Sequence, residues 1–171
     1  MVLAVLGLNH KTAPVEVREC LSFPEDTIKQ ALRRLEEHED FLECVVLSTC
    51  NRTEVYAVLE DVDDPSTVML EFLERLAGPT PAGISPEHLF YYGGDECIRH
   101  LFRVAASIDS LIVGEGQILS QVKKAYSVAK DCGTTSTVLN TLFHRAIAAG
   151  KKVRTETHIA SSAVSVSYAA A

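Results

Sequence analysis

Two short apolar runs near the middle of the chain, separated by a few polar residues, limit the fold more than any other feature. Residues 44–49 and 55–59 are rich in the aliphatic and β-branched side chains that are typical of strands. The polar residues between them are centred on Asn51 and Arg52. Because so short a connection cannot hold a crossover helix, we expect the two strands to pair as an antiparallel hairpin.

The segments on either side of this hairpin predict helices and further strands. Residues 2–8 form an apolar strand, and a helix over 24–38 starts with proline and acidic residues. A second helix over 65–78 leads through a Pro/Gly-rich loop to a last strand at 89–92. The order over residues 1–93 predicts an α+β fold of the ferredoxin-like split β-α-β kind, a βαββαβ antiparallel sheet with helices on one face.

After Gly94 the pattern becomes entirely helical. Helices are predicted at three places, residues 95–106, 117–131 and 134–154, the last preceded by a Thr/Ser cluster suited to N-capping. We therefore divide a single domain, residues 1–155, into a ferredoxin-like part (1–93) and a helical part (94–155). Residues 156–171 are small and half apolar, and we expect them to be the truncated start of a linker.

The composition indicates a globular protein. Of the 171 residues, 47% are hydrophobic and 23% are charged, which excludes disordered and collagen-like chains. No apolar run reaches the ~18–20 residues that a membrane-spanning helix needs. The first residues lack the basic flank of a signal peptide, so we expect a cytoplasmic protein without a membrane span.

The cysteines and glycines exclude several kinds of site. The five cysteines are odd in number and contain no C-x-x-C, and the six histidines contain no H-E-x-x-H. We therefore expect free thiols and no metal site. The chain also lacks a G-x-G-x-x-G fingerprint, so we expect no dinucleotide site within it.

Charge is divided unevenly along the chain. Residues 1–96 carry seven Lys and Arg against 19 Asp and Glu, whereas residues 97–171 carry nine against four. Four of the basic residues fall in a stretch without an acid: Arg145, Lys151, Lys152 and Arg154. Two interpretations stay open: solvated helix faces, or a surface for an anionic partner.

Cys50 has the setting of a reactive thiol. It lies at the predicted hairpin tip among polar residues, with Arg52 two positions away. Thiolates are the nucleophilic form of cysteine, and nearby cations and exposed backbone N–H groups favour them. A half-exposed turn cysteine without a function explains the same sequence, so both interpretations stay open.

Three further features each have a functional and a structural interpretation. Arg52 can hold a carboxylate in two parallel hydrogen bonds, although a turn arginine is more often a solvated surface charge. Gln117 and Gln121 share a helix face, after glycines at 114 and 116 that allow a ligand to approach the backbone; a flexible helix entry with two surface glutamines is the alternative. His100 is either a boundary residue of its helix or a general acid or base.

Four segments together resemble the glutamyl-tRNA reductase family. They are residues 7–19, beginning Gly-Leu-Asn-His-Lys-Thr-Ala-Pro, residues 48–54, Ser-Thr-Cys-Asn-Arg-Thr-Glu, residues 109–123, and residues 151–157, Lys-Lys-Val-Arg-Thr-Glu-Thr. They occur in the family's order, and the resemblance is to its N-terminal catalytic domain. Gly116, where many bacterial members have proline, is similar to the cyanobacterial and plastid branch.

The resemblance implies a two-step reaction of which this chain performs the first step. The Cys50 thiolate would attack glutamyl-tRNA, form a thioester and release the tRNA. Hydride from NADPH, bound by a domain that this chain does not match, would then reduce the thioester to glutamate-1-semialdehyde for tetrapyrrole (heme and chlorophyll) biosynthesis. His100 aligns with a histidine important for activity, which would assist the departure of the ribose oxygen.

The resemblance also implies the binding residues and the partners. The residues around the glutamyl group are Thr49, Asn51, Arg52, Ser110, Glu115, Gly116, Gln117 and Gln121. We expect Arg52 to take a substrate carboxylate and Glu115 to complement the substrate ammonium. The implied partners are glutamyl-tRNA, glutamate-1-semialdehyde aminomutase and a second copy in a homodimer, in the cytoplasm or the plastid stroma.

Two other functions stay open from the sequence. A catalytically silent module that recognises tRNA or a protein through its basic second half would bind RNA in a salt-dependent manner, whether or not Cys50 is present. A self-contained cysteine hydrolase would use the same thiol without a second domain.

Overall fold

The predicted hairpin lies within a four-stranded antiparallel sheet. The computed structural model describes residues 1–78 and 85–161. The strands are β1 (Val2–Asn9), β2 (Phe41–Ser48), β3 (Arg52–Leu59) and β4 (Phe90–Gly93), in the order β2-β3-β1-β4. β2 and β3 begin three residues earlier than the sequence predicts, and they pair from Phe41 opposite Leu59 to Ser48 opposite Thr53. The antiparallel sheet of a mixed α and β fold is therefore confirmed.

Six helices connect and cover these strands. They are α1 (Val15–Cys20), α2 (Glu25–Arg33), α3 (Pro65–Ala77), α4 (Asp95–Ala105), α5 (Gln117–Asp131) and α6 (Thr137–Glu156), with 3-10 turns at Leu35–Glu37, Pro86–His88 and His158–Ala160. All five predicted helices are present. The sequence did not predict α1, because it is only six residues long and buries none of them, so it has no apolar periodicity.

Parts of two predicted segments lie outside the described residues. They are residues 79–84 of the Pro/Gly-rich loop and residues 162–171 of the expected linker, which was predicted over 156–171. Over the described ranges, no helix is both long and apolar enough to cross a membrane.

Helices cover both faces of the sheet, one face by a helix within residues 1–93 and the other by the helical part of the chain. All eight residues of β3 are buried, so neither face is open to water. On one face the ring of Phe41 packs against Phe72 of α3, with centroids 5.1 Å apart. On the other face Tyr56 packs edge-on against Phe143 of α6 at 5.4 Å. The helical part of the chain therefore packs against the sheet and is not a separate appendage.

The start of α6 is held by a strand residue. The carboxylate of Glu43 in β2 accepts hydrogen bonds from the backbone N–H groups of Ser136 (2.8 Å), Val138 (3.0 Å) and Leu139 (2.8 Å). The Thr/Ser cluster suggested a side-chain cap, but the Ser136 side chain makes none. Because Glu43 is buried, its charge is compensated by the free N–H groups and the positive dipole end of the helix.

Replacing Glu43 by alanine tests this cap. The substitution leaves several helix N–H groups without an acceptor, and we expect the free energy of unfolding to fall by about 1–3 kcal/mol. Urea unfolding followed by circular dichroism measures the change. Glu36→Ala, an exposed acid in the neighbouring 3-10 turn, is the control, and an equal loss in both variants would contradict the role of Glu43.

Candidate functional site

Cys50 is presented at the tip of a two-residue hairpin loop. The backbone N–H of Thr49 donates to the carbonyl of Arg52 at 2.8 Å. The Thr49 hydroxyl in turn accepts hydrogen bonds from the N–H groups of Asn51 and Arg52, each at 3.2 Å. Thr49 therefore builds the turn, as expected for a short side chain that bonds to its own backbone, and Cys50 at the tip is exposed.

The other cysteines have different surroundings. All five thiols are free, and only Cys20 and Cys50 are exposed. Burial raises the pKa of the Cys97 thiol to about 12 and that of Cys44 further still. Buried thiols of this kind are poor nucleophiles, which leaves Cys50 as the exposed thiol within the polar segment that the sequence singled out.

Arg18 of α1 binds the hairpin tip. Its Nη1 donates to the amide oxygen of Asn51 at 2.9 Å and lies 3.4 Å from the carbonyl oxygen of Cys50. The sequence did not predict this residue as part of the site. Its helix has no buried face, so no pattern in the sequence directs it toward the hairpin.

Arg52 is buried, not a surface charge. It is 2% exposed, and its Nη1 donates to Glu54 at 2.7 Å while Nη2 donates to the backbone carbonyl of Asp109. The interpretation as a solvated turn arginine is therefore wrong. A guanidinium has five N–H donors, and these two bonds leave others for a substrate carboxylate that reaches the buried group.

Glu54 is the centre of a buried charge cluster, which consists of Arg52, Glu54, His100 and Asp109 and is joined at the surface by the exposed Lys11. Glu54 is fully buried and accepts hydrogen bonds from Arg52 and also from Tyr56 (2.6 Å) and His100 (3.0 Å). Burial alone would raise its pKa, but the charge of Arg52 and the hydrogen bond from His100 outweigh burial and hold the pKa at about 2. Glu54 is therefore ionised at neutral pH.

The ionised Glu54 fixes the orientation of His100. A carboxylate can only accept hydrogen bonds, so Nε2 of His100 must carry the proton in their 3.0 Å contact. Its Nδ1 lies 4.0 Å from a carboxylate oxygen of Asp109. The ring is 7% exposed and packs against Phe90 and Tyr92 at 4.9 and 5.2 Å. In a neutral ring, Nδ1 is the nitrogen that is free to exchange a proton.

Asp109 joins three parts of the fold. Its carboxylate forms an ion pair with Lys11, which follows β1, and its backbone carbonyl accepts from Arg52 of β3. It follows α4 closely in the chain. The segment after α4 is therefore held by an ion pair to the end of β1 and by a hydrogen bond from the hairpin.

The loop between α4 and α5 is fixed at its other end by α6. Ser107 has a left-handed φ of 62° and donates its hydroxyl to the carbonyl of Glu115 at 2.7 Å. Arg154 donates to the carbonyls of Gly114 (3.0 Å) and Glu115 (3.2 Å). Gly114 has a φ of 86°, and a side chain there would collide with the carbonyl of Ile159. Arg154 is thus half-buried and bound to this loop, so it does not belong to the basic surface that the sequence suggested.

The structure brings some of the predicted site residues together. Thr49, Cys50, Asn51 and Arg52 form the hairpin tip, and His100 joins them through Glu54. Ser110 follows Asp109, is 9% exposed, and has no hydrogen-bond partner for its hydroxyl. A buried hydroxyl without a partner is costly, which supports a role in binding a polar ligand.

The remaining predicted residues lie on α5 and its entry. Glu115 is half-buried, and Gly116 and Gln117 are exposed. Gly116 has an ordinary φ of −78°, and a side chain there would lie 3.2 Å from the guanidinium of Arg154. Gln121 lines a cavity of about 260 Å³ between α2, β2 and α5, together with Ser48. Within the described ranges, no hydrogen bond connects these side chains to the hairpin.

Four residues of the site were not predicted as such: Lys11, Arg18, Glu54 and Asp109. All four lie inside the motif segments, and one further signal was available for Glu54. It is a carboxylate in a strand whose other residues are mostly apolar, and a buried charge needs partners.

Comparisons with known proteins agree with the resemblance seen in the sequence. The family described as "Glutamyl-tRNAGlu reductase, N-terminal domain" matches residues 6–157. A glutamyl-tRNA reductase of Desulforudis audaxviator (strain MP104C) is 51% identical over 170 residues, which are 99% of this chain and 38% of the relative. One of Synechococcus sp. (strain RCC307) is 48% identical over the same shares.

A solved structure of the same family is similar to this chain in fold. Glutamyl-tRNA reductase from Methanopyrus kandleri matches 91% of this chain and 35% of its own, with a TM-score of 0.71 and 37% identity. The chain thus spans about two fifths of the length of the curated relatives it matches. Identity to the Solibacter usitatus relative (51%) and to Synechococcus (48%) is nearly equal, so these values do not assign the cyanobacterial branch predicted from Gly116.

Replacing Glu54 by glutamine tests the buried charge cluster. Arg52 would lose its buried counter-charge, and we expect the free energy of unfolding at pH 7 to fall by about 3–5 kcal/mol. The pKa of Glu54 is lowered from 4.5 to about 2 in the folded chain. Its ionisation therefore stabilises the fold fully above pH 4.5, and this stabilisation is lost as the pH falls toward 2.

The difference between wild type and Glu54→Gln should accordingly narrow as the pH falls from 4.5 toward 2, as measured by urea unfolding at several pH values. Glu74→Gln, an exposed acid on α3, serves as the control. A difference that stays constant over this window would contradict an ionised Glu54.

Proposed function

The chain belongs to the glutamyl-tRNA reductase family, and we propose that it performs the acyl-transfer step of that family's reaction. The Cys50 sulfur attacks the ester carbonyl of glutamyl-tRNA, so that a C–S bond forms and the C–O bond to the ribose breaks. The products are a thioester on Cys50 and free tRNA. The observation that carries the proposal is an exposed thiol at a hairpin tip, next to a buried charge cluster that holds a histidine.

A thiol suits this step for a chemical reason. Capture of the acyl group as a thioester divides one difficult reaction into two easier ones. A thioester also accepts hydride more readily than a free carboxylate does. Exposure of Cys50 supports the proposal further, since a tRNA is too large to enter the interior of a domain of this size.

His100 is the group that we assign to proton transfer. The departing ribose oxygen must take up a proton, and a positioned histidine is a common donor. Glu54 holds the Nε2–H of His100, so Nδ1 takes up the thiol proton of Cys50 as the sulfur attacks and then gives it to the departing ribose oxygen. Its partners Phe90 and Tyr92 restrict the ring further.

The glutamyl group would lie on the inner side of the hairpin. We assign its side-chain carboxylate to Arg52 and its polar atoms to Thr49, Asn51 and Ser110, whose hydroxyl has no partner in the fold. Glu115 would complement the ammonium, and Gly116, Gln117 and Gln121 would complete the site from α5.

The described residues do not fit a dinucleotide. The sheet is antiparallel, and the sequence has no G-x-G-x-x-G between a strand and a helix. We therefore assign the reduction by NADPH to the part of the relatives' chains that this chain does not match. An aminomutase that receives the aldehyde and a second copy of the enzyme are partners of that whole protein in this proposal.

We also infer the domain organisation from the sheet. The strand order β2-β3-β1-β4 supports a ferredoxin-like layout for residues 1–93. The contacts of α4 and α6 with the sheet support one catalytic domain over residues 1–155.

Replacing Cys50 by alanine tests the proposed nucleophile. After incubation with glutamyl-tRNA that carries a labelled glutamyl group, label should remain on wild-type protein and be absent from Cys50→Ala, since no other thiol lies at the hairpin tip. Cys20→Ala removes the second exposed thiol and should label like wild type. Equal labelling of Cys50→Ala would exclude Cys50 as nucleophile, and salt-dependent RNA binding without labelling would favour the silent binding module.

Replacing His100 by asparagine tests proton transfer. General acid catalysis typically contributes about 10²–10⁴-fold, and we expect the rate of thioester formation to fall by a factor in that range. Rapid-quench measurement of the labelled protein gives the rate. His158→Asn, on an exposed residue, is the control, and a wild-type rate in His100→Asn would remove His100 from the mechanism.

A further inference from the structure

Arg18 is a cation beside Cys50 whose charge the fold does not neutralise. Lys11 and Arg52 form ion pairs with Asp109 and Glu54. Arg18, in the part of the chain that is described, forms none. Its Nη1 contacts two uncharged acceptors, the Asn51 amide and the Cys50 carbonyl. Its Nε is buried without a hydrogen-bond partner.

The acids nearest in sequence to Arg18 do not face the hairpin with it. Glu16 and Glu19 lie two positions before and one position after it on α1, and residues at these spacings point to different sides of a helix. Both are exposed. In residues 1–96 acids outnumber bases 19 to seven, and yet the guanidinium at the hairpin tip has no acid among the described residues as partner. It is therefore suited to bind an anionic ligand.

His10 has three cationic neighbours and one anionic neighbour at this place. Its Nδ1 is buried without a hydrogen-bond partner. Burial and the charges of Arg52, Lys11 and Arg18 lower its pKa, and Asp109 alone acts in the opposite direction. Arg18 therefore lies in a small region where positive charge exceeds negative charge.

We propose that Arg18 binds a phosphodiester at the 3′ end of the tRNA while the ester reaches Cys50. This inference rests on the proposed acyl transfer. The glutamyl group occupies the inner side of the hairpin, so the tRNA must lie on the solvent side, where the half-buried Arg18 lies. The nucleotide that carries the ester also carries a 5′ phosphate, so a phosphate necessarily comes close to the reacting carbonyl.

The chemistry of arginine favours this ligand. A guanidinium matches the oxygen atoms of phosphate with paired N–H donors. The two contacts to Asn51 and Cys50 hold the side chain in place without using its charge. Arg18 would thereby orient the leaving group and not the acyl group.

The test compares two substrates with the same acyl group. One is glutamyl-tRNA, and the other is the α-methyl ester of glutamate, which contains no phosphate. With Arg18→Gln, acylation of Cys50 by glutamyl-tRNA at low substrate concentration should fall about 10–100-fold, the usual effect of a lost charged hydrogen bond. Any loss that arises from the contacts of Arg18 with the hairpin affects both substrates alike, so the ratio of the glutamyl-tRNA rate to the methyl ester rate should fall about 10–100-fold. Arg33→Gln, at an exposed arginine on α2, should match wild type with both substrates.

Salt dependence gives a second readout. Each phosphate contact to a single strand contributes about 0.7 to the slope of log affinity against log salt concentration. The slope for glutamyl-tRNA should decrease by about this amount in Arg18→Gln. Arg18→Lys retains the charge and should retain the slope, although its rate falls because lysine lacks the paired donors. If Arg18→Gln does not fold, as judged by circular dichroism, the two-substrate comparison is made with Arg18→Lys.

The outcomes separate this inference from the proposed function. Equal losses with both substrates would place Arg18 on the acyl group or on the hairpin itself and overturn the inference, as would unchanged rates and salt slope with glutamyl-tRNA. In either case Cys50→Ala still decides the acyl transfer on its own. If Cys50→Ala is acylated like wild type, the proposed function fails, whatever Arg18 does.

Discussion

The buried ion pair between Arg52 and Glu54 determines how the rest of the site is arranged. Both side chains lie in the central strand β3, where water is excluded, and a buried charge is tolerated only when it is paired and hydrogen-bonded. The fold meets this requirement with groups from outside the sheet: His100 of α4 and the backbone of Asp109. The compensation of these charges thereby brings α4 and the following loop to the hairpin that carries Cys50.

The sequence predicts local features well and long-range partners poorly. The hairpin, the exposed Cys50 and the five longer helices follow from residues that are neighbours in the chain. The partners in the buried charge cluster and at its edge are 46 residues apart for Glu54 and His100, 57 for Arg52 and Asp109, and 98 for Lys11 and Asp109. No periodicity records such pairs. Arg18 lies on a helix without a buried face, and Arg154 bonds to the loop before α5, although the other residues of its basic stretch are exposed.

The site places an exposed thiol on a hairpin tip that polar contacts hold in place. Only the two loop residues at the hairpin tip project, while Thr49 closes the turn and Arg18 binds it from the side. The loop before α5 is held by Ser107 and Arg154, and α6, which supplies Arg154, is itself capped by Glu43 of β2. Polar contacts thus connect the helical part to the strands of the hairpin and to the segment beside it, and the proposed acyl transfer requires such a fixed geometry around the thiol.

The central claim is that Cys50 of this chain carries the acyl group, and locating the adduct tests it most directly. The chain is incubated with glutamyl-tRNA, quenched in acid to preserve thioesters, digested and analysed by mass spectrometry. The account predicts one glutamyl group, on the peptide that contains Cys50, and its release by hydroxylamine. A glutamyl group on another residue, or a folded chain that gains none, would contradict the account.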